Sequence, residues 1–121
     1  MRILVVDDSP ERMTNFRGCL SSHDVVYAMG CEEAEPHLSE RFDLMFLDHD
    51  LGDSELTGVH LAKAIAASEN AITPAILHSA NSAGAREMQF YLRNSKIVPY
   101  PLLDIQAAVQ WVEQLPVTEA T

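Results

Sequence analysis

Short runs of consecutive apolar residues alternate along this chain with longer segments in which apolar residues recur every three or four positions. The continuous runs, several of them rich in β-branched residues, cover positions 3–6, 25–28, 44–47, 74–77 and 97–98. Runs of this length without alternation are typical of strands that are covered on both faces, as in a parallel sheet. The pattern therefore predicts five buried strands.

The segments between these runs carry helix signals. Ser9 is a suitable N-cap, with Pro10 at the first helical position, and Thr57 can cap a helix that extends to about residue 69. Further helices are predicted over 31–40, where Pro36 should kink or split the helix, over 83–94 and over 102–115.

Five strands alternating with five helices indicate an α/β fold, with one open parallel sheet and helices on both faces. A length of 121 residues suits one domain. We expect that domain to cover 1–115 and the tail 116–121 to be flexible.

Charge and composition exclude several kinds of partner. Acidic side chains outnumber basic ones by 18 to 8, giving a net charge of −10 and a pI near 4.7. This charge argues against nucleic acid or an anionic membrane surface as the main partner. No apolar run has the length of a membrane span, and two cysteines do not indicate a disulfide framework. We therefore expect a soluble, cytoplasmic protein.

Aspartates cluster directly after two of the predicted strands. Asp7 and Asp8 follow the first strand, and Asp48, Asp50 and Asp53 follow the third. Carboxyl ends of parallel strands border the crevice in which such sheets bind ligands, so the two groups should converge. Converging carboxylates repel one another unless a cation lies among them, and oxygen ligands favour Mg²⁺. The alternative is that they cap a helix and solvate a loop.

A second group of polar residues follows the fourth strand. The Ser79 hydroxyl could bind a phosphoryl oxygen or cap the next helix, Ala80 leaves space, and the amides around Asn81 suit an anion. His78 could act as general acid or base, bind a metal, or form a hydrogen bond within the sheet. His49 should face away from the site if Asp48 faces it, because side chains alternate along a strand.

Together these residues resemble the receiver domain of two-component response regulators. The resemblance rests on Asp7-Asp8 after the first strand, on Asp48 after the third and on Ser79-Ala80 after the fourth. It implies a flavodoxin-like fold with strand order 2-1-3-4-5. It also implies Mg²⁺ binding by Asp7, Asp8, Asp48 and the Asp50 carbonyl, phosphorylation of Asp48, and phosphoryl binding by Ser79.

Two motifs resemble more closely a divergent branch, the cyclic-phosphate processing receiver domains. These are Asp-His-Asp-Leu-Gly at 48–52 and His-Ser-Ala-Asn at 78–81. The chain also departs from ordinary receivers after the fifth strand, where Tyr100 occupies the place of the phosphoryl-binding Lys. Lys96 lies four residues upstream, roughly 13 Å away along an extended strand. Ile97 stands where receivers carry a switching aromatic residue.

Three functions are compatible with these residues. The favoured one is a stand-alone receiver whose Asp48 accepts a phosphoryl group from a phosphohistidine-bearing protein or a small phosphodonor, with output through protein contact. The second is a Mg²⁺-dependent phosphoesterase acting on cyclic phosphate ends, with Asp48, Asp50, Ser79 and His78 as catalytic residues. The third is a receiver-shaped interaction domain that is never phosphorylated.

Overall fold

A computed structural model describes residues 1–51 and 56–116 and contains the alternating strands and helices that the pattern predicts. The strands are β1 (Arg2–Val6), β2 (Asp24–Ala28), β3 (Leu44–Leu47), β4 (Ala75–Leu77) and β5 (Ser95–Ile97). The α-helices are α1 (Pro10–Cys19), α2 (Cys31–Ala34), α3 (Gly58–Ala66), α4 (Ser82–Tyr91) and α5 (Ile105–Glu113). The candidate metal residue Asp53 and positions 117–121 of the expected tail lie outside the described residues.

The five strands form one parallel sheet in the order β2-β1-β3-β4-β5. The predicted fold class and strand order are thereby confirmed. In this order β1 and β3 are neighbours, and the chain reverses its direction of winding between them. Such a reversal opens a crevice at the carboxyl ends of the strands.

Helix boundaries follow the local capping chemistry. The Ser9 hydroxyl accepts a hydrogen bond from the Arg12 amide at 3.3 Å, which confirms Ser9 as N-cap. The helix predicted over 31–40 ends as α2, and a 3₁₀ helix containing Pro36 follows over Glu35–Ser39. The last helix begins at Ile105 instead of residue 102, because the Asp104 side chain accepts from the Ala107 amide and caps the helix there.

Side-chain alternation along β1 divides the core into two layers. Ile3 and Val5 pack with residues of α1 and α5, whereas Leu4 and Val6 pack with residues of α2, α3 and α4. All four are fully buried, and burial of each such side chain contributes about 1.5–3 kcal/mol. A shift of the strand register by one residue would exchange the side chains of the two layers. Packing therefore determines the face of the sheet on which each residue after the strand lies.

No α-helix in the described part of the chain combines the length and apolar character that crossing a membrane requires.

Gly58 provides a test of the packing between α3 and the end of β3. A Cβ atom at this position would lie 2.5 Å from the Asp48 carbonyl oxygen and 2.7 Å from Met88 Sδ. We expect Gly58→Ala to destabilise the fold by about 1–3 kcal/mol, measured by urea unfolding.

Gly18→Ala is the matched control, because a Cβ there meets nothing within 4 Å and the residue is helical. This substitution should stabilise the protein by about 0.5–1 kcal/mol through helix propensity. Equal effects of the two substitutions would contradict the packing described for Gly58.

Candidate functional site

The register of the sheet places three ionisable residues in one row. Val6 pairs with Leu47, and Leu47 pairs with Leu77, so the residues that follow these strand ends are also side by side. They are Asp7, Asp48 and His78, and all three are buried. The preceding residues, Val6, Leu47 and Leu77, pack on the face covered by α2, α3 and α4. Because side chains alternate along a strand, the residues that follow them point to the opposite face, which α1 and α5 cover.

Asp7 and His78, which flank Asp48 in this row, form a buried hydrogen-bonded pair. His78 Nε2 donates to Asp7 Oδ2 at 2.8 Å, and the Ser9 amide donates to Asp7 Oδ1 at 2.8 Å. Burial raises the pKa of Asp7, but the hydrogen bonds from His78 and Ser9 and the nearby positive charge lower it by more. The pKa of Asp7 therefore lies below its ordinary value. Asp7 is therefore a firmly ionised and fully hydrogen-bonded carboxylate.

His78 is enclosed as well as paired. Its ring lies 5.5 Å from the Phe16 ring and 6.2 Å from the Tyr100 ring, measured between centroids. Among the described residues, His78 Nδ1 is the one buried side-chain polar atom without a hydrogen-bond partner. The ring is thus held in place by packing and by Asp7 alone.

Asp48 has less support for its charge than Asp7. The His49 amide donates to Asp48 Oδ1 at 2.8 Å, while Oδ2 lies 3.7 Å from Arg12 Nη1. Burial raises the pKa of Asp48, the charge of Asp7 raises it further, and His78, the His49 amide and the Ser79 hydroxyl only partly oppose this. A partly desolvated carboxylate at the edge of a cleft is a suitable nucleophile or metal ligand.

Arg12 brings a positive charge from α1 to the two carboxylates. Its Nη1 lies 3.6 Å from Asp7 Oδ2 as well as 3.7 Å from Asp48 Oδ2. Its Cζ lies 4.6 Å from the centre of the Tyr100 ring, whose hydroxyl accepts from Asn15 Nδ2 at 2.7 Å. The guanidinium is therefore held between the carboxylates and an aromatic ring.

The row opens on one side into a cleft of about 390 Å³. Its lining residues are Asp8, Ser9, Arg12, Asp48, Asp50 and Ala80. Of the predicted site residues, Asp8, Asp48, Asp50 and Ala80 thus border one cavity, while Asp7 and His78 lie beneath it. The cleft can admit a phosphate group together with the solvated cation that the carboxylates attract.

Ser79 and Asn81 organise the turn between β4 and α4. The Ser79 hydroxyl accepts from the Asn81 amide at 3.0 Å, and Asn81 Oδ1 accepts from the Gly84 amide at 2.9 Å as N-cap of α4. Asn81, and not Ser79, is therefore the cap of that helix. The Gly84 amide is already occupied and is not available to an anion.

His49 lies on the opposite face from Asp48, as alternation predicts. A Cβ atom at Gly84 would lie 2.5 Å from the His49 ring, so α4 packs directly against this ring. His49 Nδ1 bonds to Asp50 Oδ1 at 2.9 Å, and the pKa of the Asp50 carboxyl is lowered, chiefly by this bond. His49 thus has a packing role and also orients Asp50 at the mouth of the cleft.

Comparison with protein families decides the affiliation of the chain. A family model described as "Cyclic-phosphate processing Receiver domain" matches residues 2–94, well over half of the sequence. The chain belongs to this receiver family. No curated protein matches the sequence significantly.

Solved receiver structures have the same fold. The non-phosphorylated HemR receiver domain from Leptospira biflexa is 27% identical with a TM-score of 0.77, and 95% of each chain is covered. A response regulator receiver protein from Pseudomonas putida is 26% identical with a TM-score of 0.73, covering 94% of this chain and 96% of its own. A CheY-like receiver domain from Methanospirillum hungatei shares the fold at 16% identity, with a TM-score of 0.76 and coverage of 93% and 90%.

The donor atoms of this receiver are compatible with Mg²⁺. Three of the four predicted metal ligands, Asp8, Asp48 and Asp50, border the cleft. The fourth, Asp7, is buried and has both carboxylate oxygens hydrogen-bonded. Mg²⁺ in proteins commonly takes one or two carboxylates and keeps several waters. One ligand atom each from Asp7, Asp48 and His78 also lies within 4.8 Å of the others, so the row itself concentrates donors suited to a cation.

Sequence reasoning missed Arg12 as a site residue and left the role of His78 open. The alternation along β4, continued by one residue and combined with the sheet register, places His78 beside Asp48 and would have identified its position. Arg12 carries no comparable signal, because only the packing of α1 on the sheet brings it to the carboxylates. Lys96 is remote from them, since its Nζ lies over the Trp111 ring at 4.6 Å.

The two buried aspartates should respond oppositely to removal of their charge. Asp7→Asn breaks a satisfied, buried hydrogen bond between a carboxylate and His78 and should destabilise the receiver by about 3 kcal/mol. Asp48→Asn removes a desolvated charge that Asp7 repels and should raise the Tm by a few degrees, since 1 kcal/mol corresponds to roughly 4 °C for a domain of this size. Thermal unfolding at pH 7 with EDTA present measures both effects.

The pH dependence of these differences follows from the two pKa directions. The folded-state pKa of Asp7 lies below its unfolded value, so its stabilisation is complete above the unfolded pKa near 4 and is lost as pH falls through the folded pKa. The folded-state pKa of Asp48 is raised, so the advantage of Asp48→Asn should shrink as pH falls through it. Destabilisation by both substitutions at pH 7 would contradict the assigned charge states.

Proposed function

We propose that this chain is a divergent receiver whose Asp48 accepts a phosphoryl group in a Mg²⁺-dependent reaction. The observation that carries the proposal is the position of Asp48. Its carboxylate is almost buried, it lies in a row with Asp7 and His78, and it borders an open cleft with Asp8 and Asp50. That position exposes a nucleophilic oxygen to a ligand while it concentrates negative charge that a cation can neutralise.

The transfer requires no proton from the protein when the donor is an acyl phosphate. A carboxylate oxygen of Asp48 forms a bond to phosphorus while the bond from phosphorus to the acyl oxygen of the donor breaks. The carboxylate of the donor leaves with the electron pair. Mg²⁺, held by Asp8 and Asp48, would supply positive charge to the transferring oxygens. Ser79 lies beside Asp48 as a donor to the phosphoryl group, and Ala80 leaves the cleft open.

The partners follow from this chemistry. A small acyl phosphate or a protein phosphohistidine can present its phosphoryl group to a cleft of about 390 Å³. The output would be contact with another protein, and a cytoplasmic location supplies both kinds of donor. The strong negative charge of the chain supports protein and cation partners over nucleic acid.

Hydrolysis of a cyclic phosphate is the second candidate. It is favoured by Asp50, whose exposed carboxylate is held by His49 at the mouth of the cleft. Asp50 would take a proton from water as the water oxygen attacks phosphorus. The departing sugar oxygen would take a proton from solvent as its bond to phosphorus breaks, and Asp50 would return its proton to solvent. The description of the family is consistent with this activity.

Mg²⁺ should raise the Tm of the wild-type receiver through preferential binding to the folded state. Asp8→Ala should reduce this response, because it removes a carboxylate that borders the cleft. Glu69→Ala is the matched control, since it removes an equal charge from an exposed position beyond the end of α3, far from the carboxyl ends of the strands. Equal responses in all three proteins would rule out the assigned cation site.

Acetyl phosphate with Mg²⁺ should produce an adduct of roughly 80 Da, the mass of a phosphoryl group, in intact-mass spectra. Asp48→Asn should abolish it, because the amide is not a nucleophile, while Asp24→Asn should leave it unchanged. Turnover of a 2′,3′-cyclic nucleotide without an adduct would instead support the phosphoesterase. Absence of both reactions, with Mg²⁺ bound, would support the interaction domain and contradict the proposal.

A further inference from the structure

After β5, Tyr100 occupies the position at which ordinary receivers carry a lysine. The backbone at Tyr100 lies beside β4, because its amide donates to the His78 carbonyl at 2.9 Å. Tyr100 thus stands at the edge of the row formed by Asp7, Asp48 and His78, but it carries no positive charge. Lys96 is engaged with Trp111 on α5.

Arg12 is the basic residue among the described residues that line the cleft. It occupies the third position of α1, where a long side chain points back towards the start of the helix and so towards the strand ends. The Ser9 cap fixes this first turn by accepting from the Arg12 amide. The guanidinium consequently reaches the carboxylates from α1.

The distances leave the guanidinium available to a ligand. Nη1 lies 3.6 Å from Asp7 Oδ2 and 3.7 Å from Asp48 Oδ2, whereas a charge-assisted hydrogen bond measures about 2.7–2.9 Å. Arg12 is thus attracted to both carboxylates without a close hydrogen bond to either. Its N–H groups can donate to the oxygens of an anion bound next to Asp48.

Tyr100 orients this guanidinium. The planar group lies over the Tyr100 ring at 4.6 Å, and the ring is anchored through its hydroxyl by Asn15, one turn further along α1. A stacked arginine loses little conformational freedom when it binds an anion, and its fork matches phosphate oxygens. Tyr100, which replaces the usual lysine, therefore supports the guanidinium of Arg12 on α1.

We propose that Arg12, oriented by Tyr100, is the residue that binds the phosphoryl oxygens at Asp48. Arg12 thereby replaces the β5 lysine of ordinary receivers, and the phosphoryl-binding charge comes from α1. This inference rests on the proposed function of Asp48 and adds the residue that selects and holds its phosphoryl group.

The test compares four variants of the full chain with the wild type. Adduct formation with acetyl phosphate and Mg²⁺ is followed by intact mass, and binding of beryllium fluoride with Mg²⁺ by NMR amide shifts. Arg12→Ala should weaken both about ten- to a hundredfold, as expected for loss of a charge-assisted hydrogen bond. Arg12→Lys should retain part of the binding, because it keeps the charge but loses the planar fork.

Arg17→Ala is the matched control. Arg17 is also on α1 and stacks on a tyrosine, with its Cζ 4.2 Å from the Tyr27 ring, but it does not border the cleft. This variant should react within about twofold of the wild type. The double variant Arg12→Ala with Tyr100→Lys should recover part of the lost activity, because it returns a cation to β5.

Mg²⁺ affinity, measured by the Tm shift, separates a binding role from a merely structural one. Arg12→Ala should bind Mg²⁺ at least as tightly as the wild type, because it removes a positive charge that repels the cation. Weaker Mg²⁺ binding together with a lower Tm would show a structural role and overturn the inference.

The remaining outcomes distinguish the inference from the function on which it rests. A wild type that reacts and an Arg12→Ala variant that reacts as fast would overturn the role of Arg12 alone. A wild type that forms no adduct and binds no beryllium fluoride would overturn the proposed function, and the role of Arg12 with it.

Discussion

Two carboxylates and a histidine must share the ends of three adjacent strands, and the rest of the site depends on how their charges are balanced. Asp7 is satisfied by His78 and by the Ser9 amide, so it acts as a fixed negative charge below the cleft. Asp48 lies beside that charge and borders the cleft. Burial and repulsion by Asp7 raise the pKa of Asp48, and any cation or electrophile that reaches it relieves the repulsion.

Different residues surround Asp48 on the two faces of the sheet. On the face covered by α1 and α5, Arg12 and Tyr100 supply positive charge and an aromatic support. On the opposite face, His49 packs against α4 and holds Asp50 at the cleft mouth. Ser79 joins Asp48 from β4. Around Asp48, the residues near β5 differ from those of ordinary receivers, while the acidic residues after β1 and β3 are retained.

The retained acidic residues and the replaced residues near β5 are consistent with membership in a divergent receiver family. The carboxylates after β1 and β3 and the hydroxyl after β4 are the residues of the proposed phosphoryl chemistry and the features that carry the resemblance to receivers. Tyr100 and Ile97, which stand where ordinary receivers carry a phosphoryl-binding lysine and a switching aromatic residue, are the features that differ. A receiver that keeps the first set and changes the second can retain the reaction with a different readout, or turn it towards hydrolysis.

The sequence by itself determined the strands, the helices, the sheet order through its resemblance, and the edge at which Asp7, Asp8, Asp48 and Ser79 converge. The strands and helices follow from local periodicity and capping, which act over a few residues, whereas the sheet order was implied by the resemblance. Only the tertiary structure decided that Asp7 and not Asp8 pairs with His78, and that Arg12 approaches Asp48. The reason is that register between strands distant in sequence, and the seating of α1 on the sheet, depend on packing of the whole core.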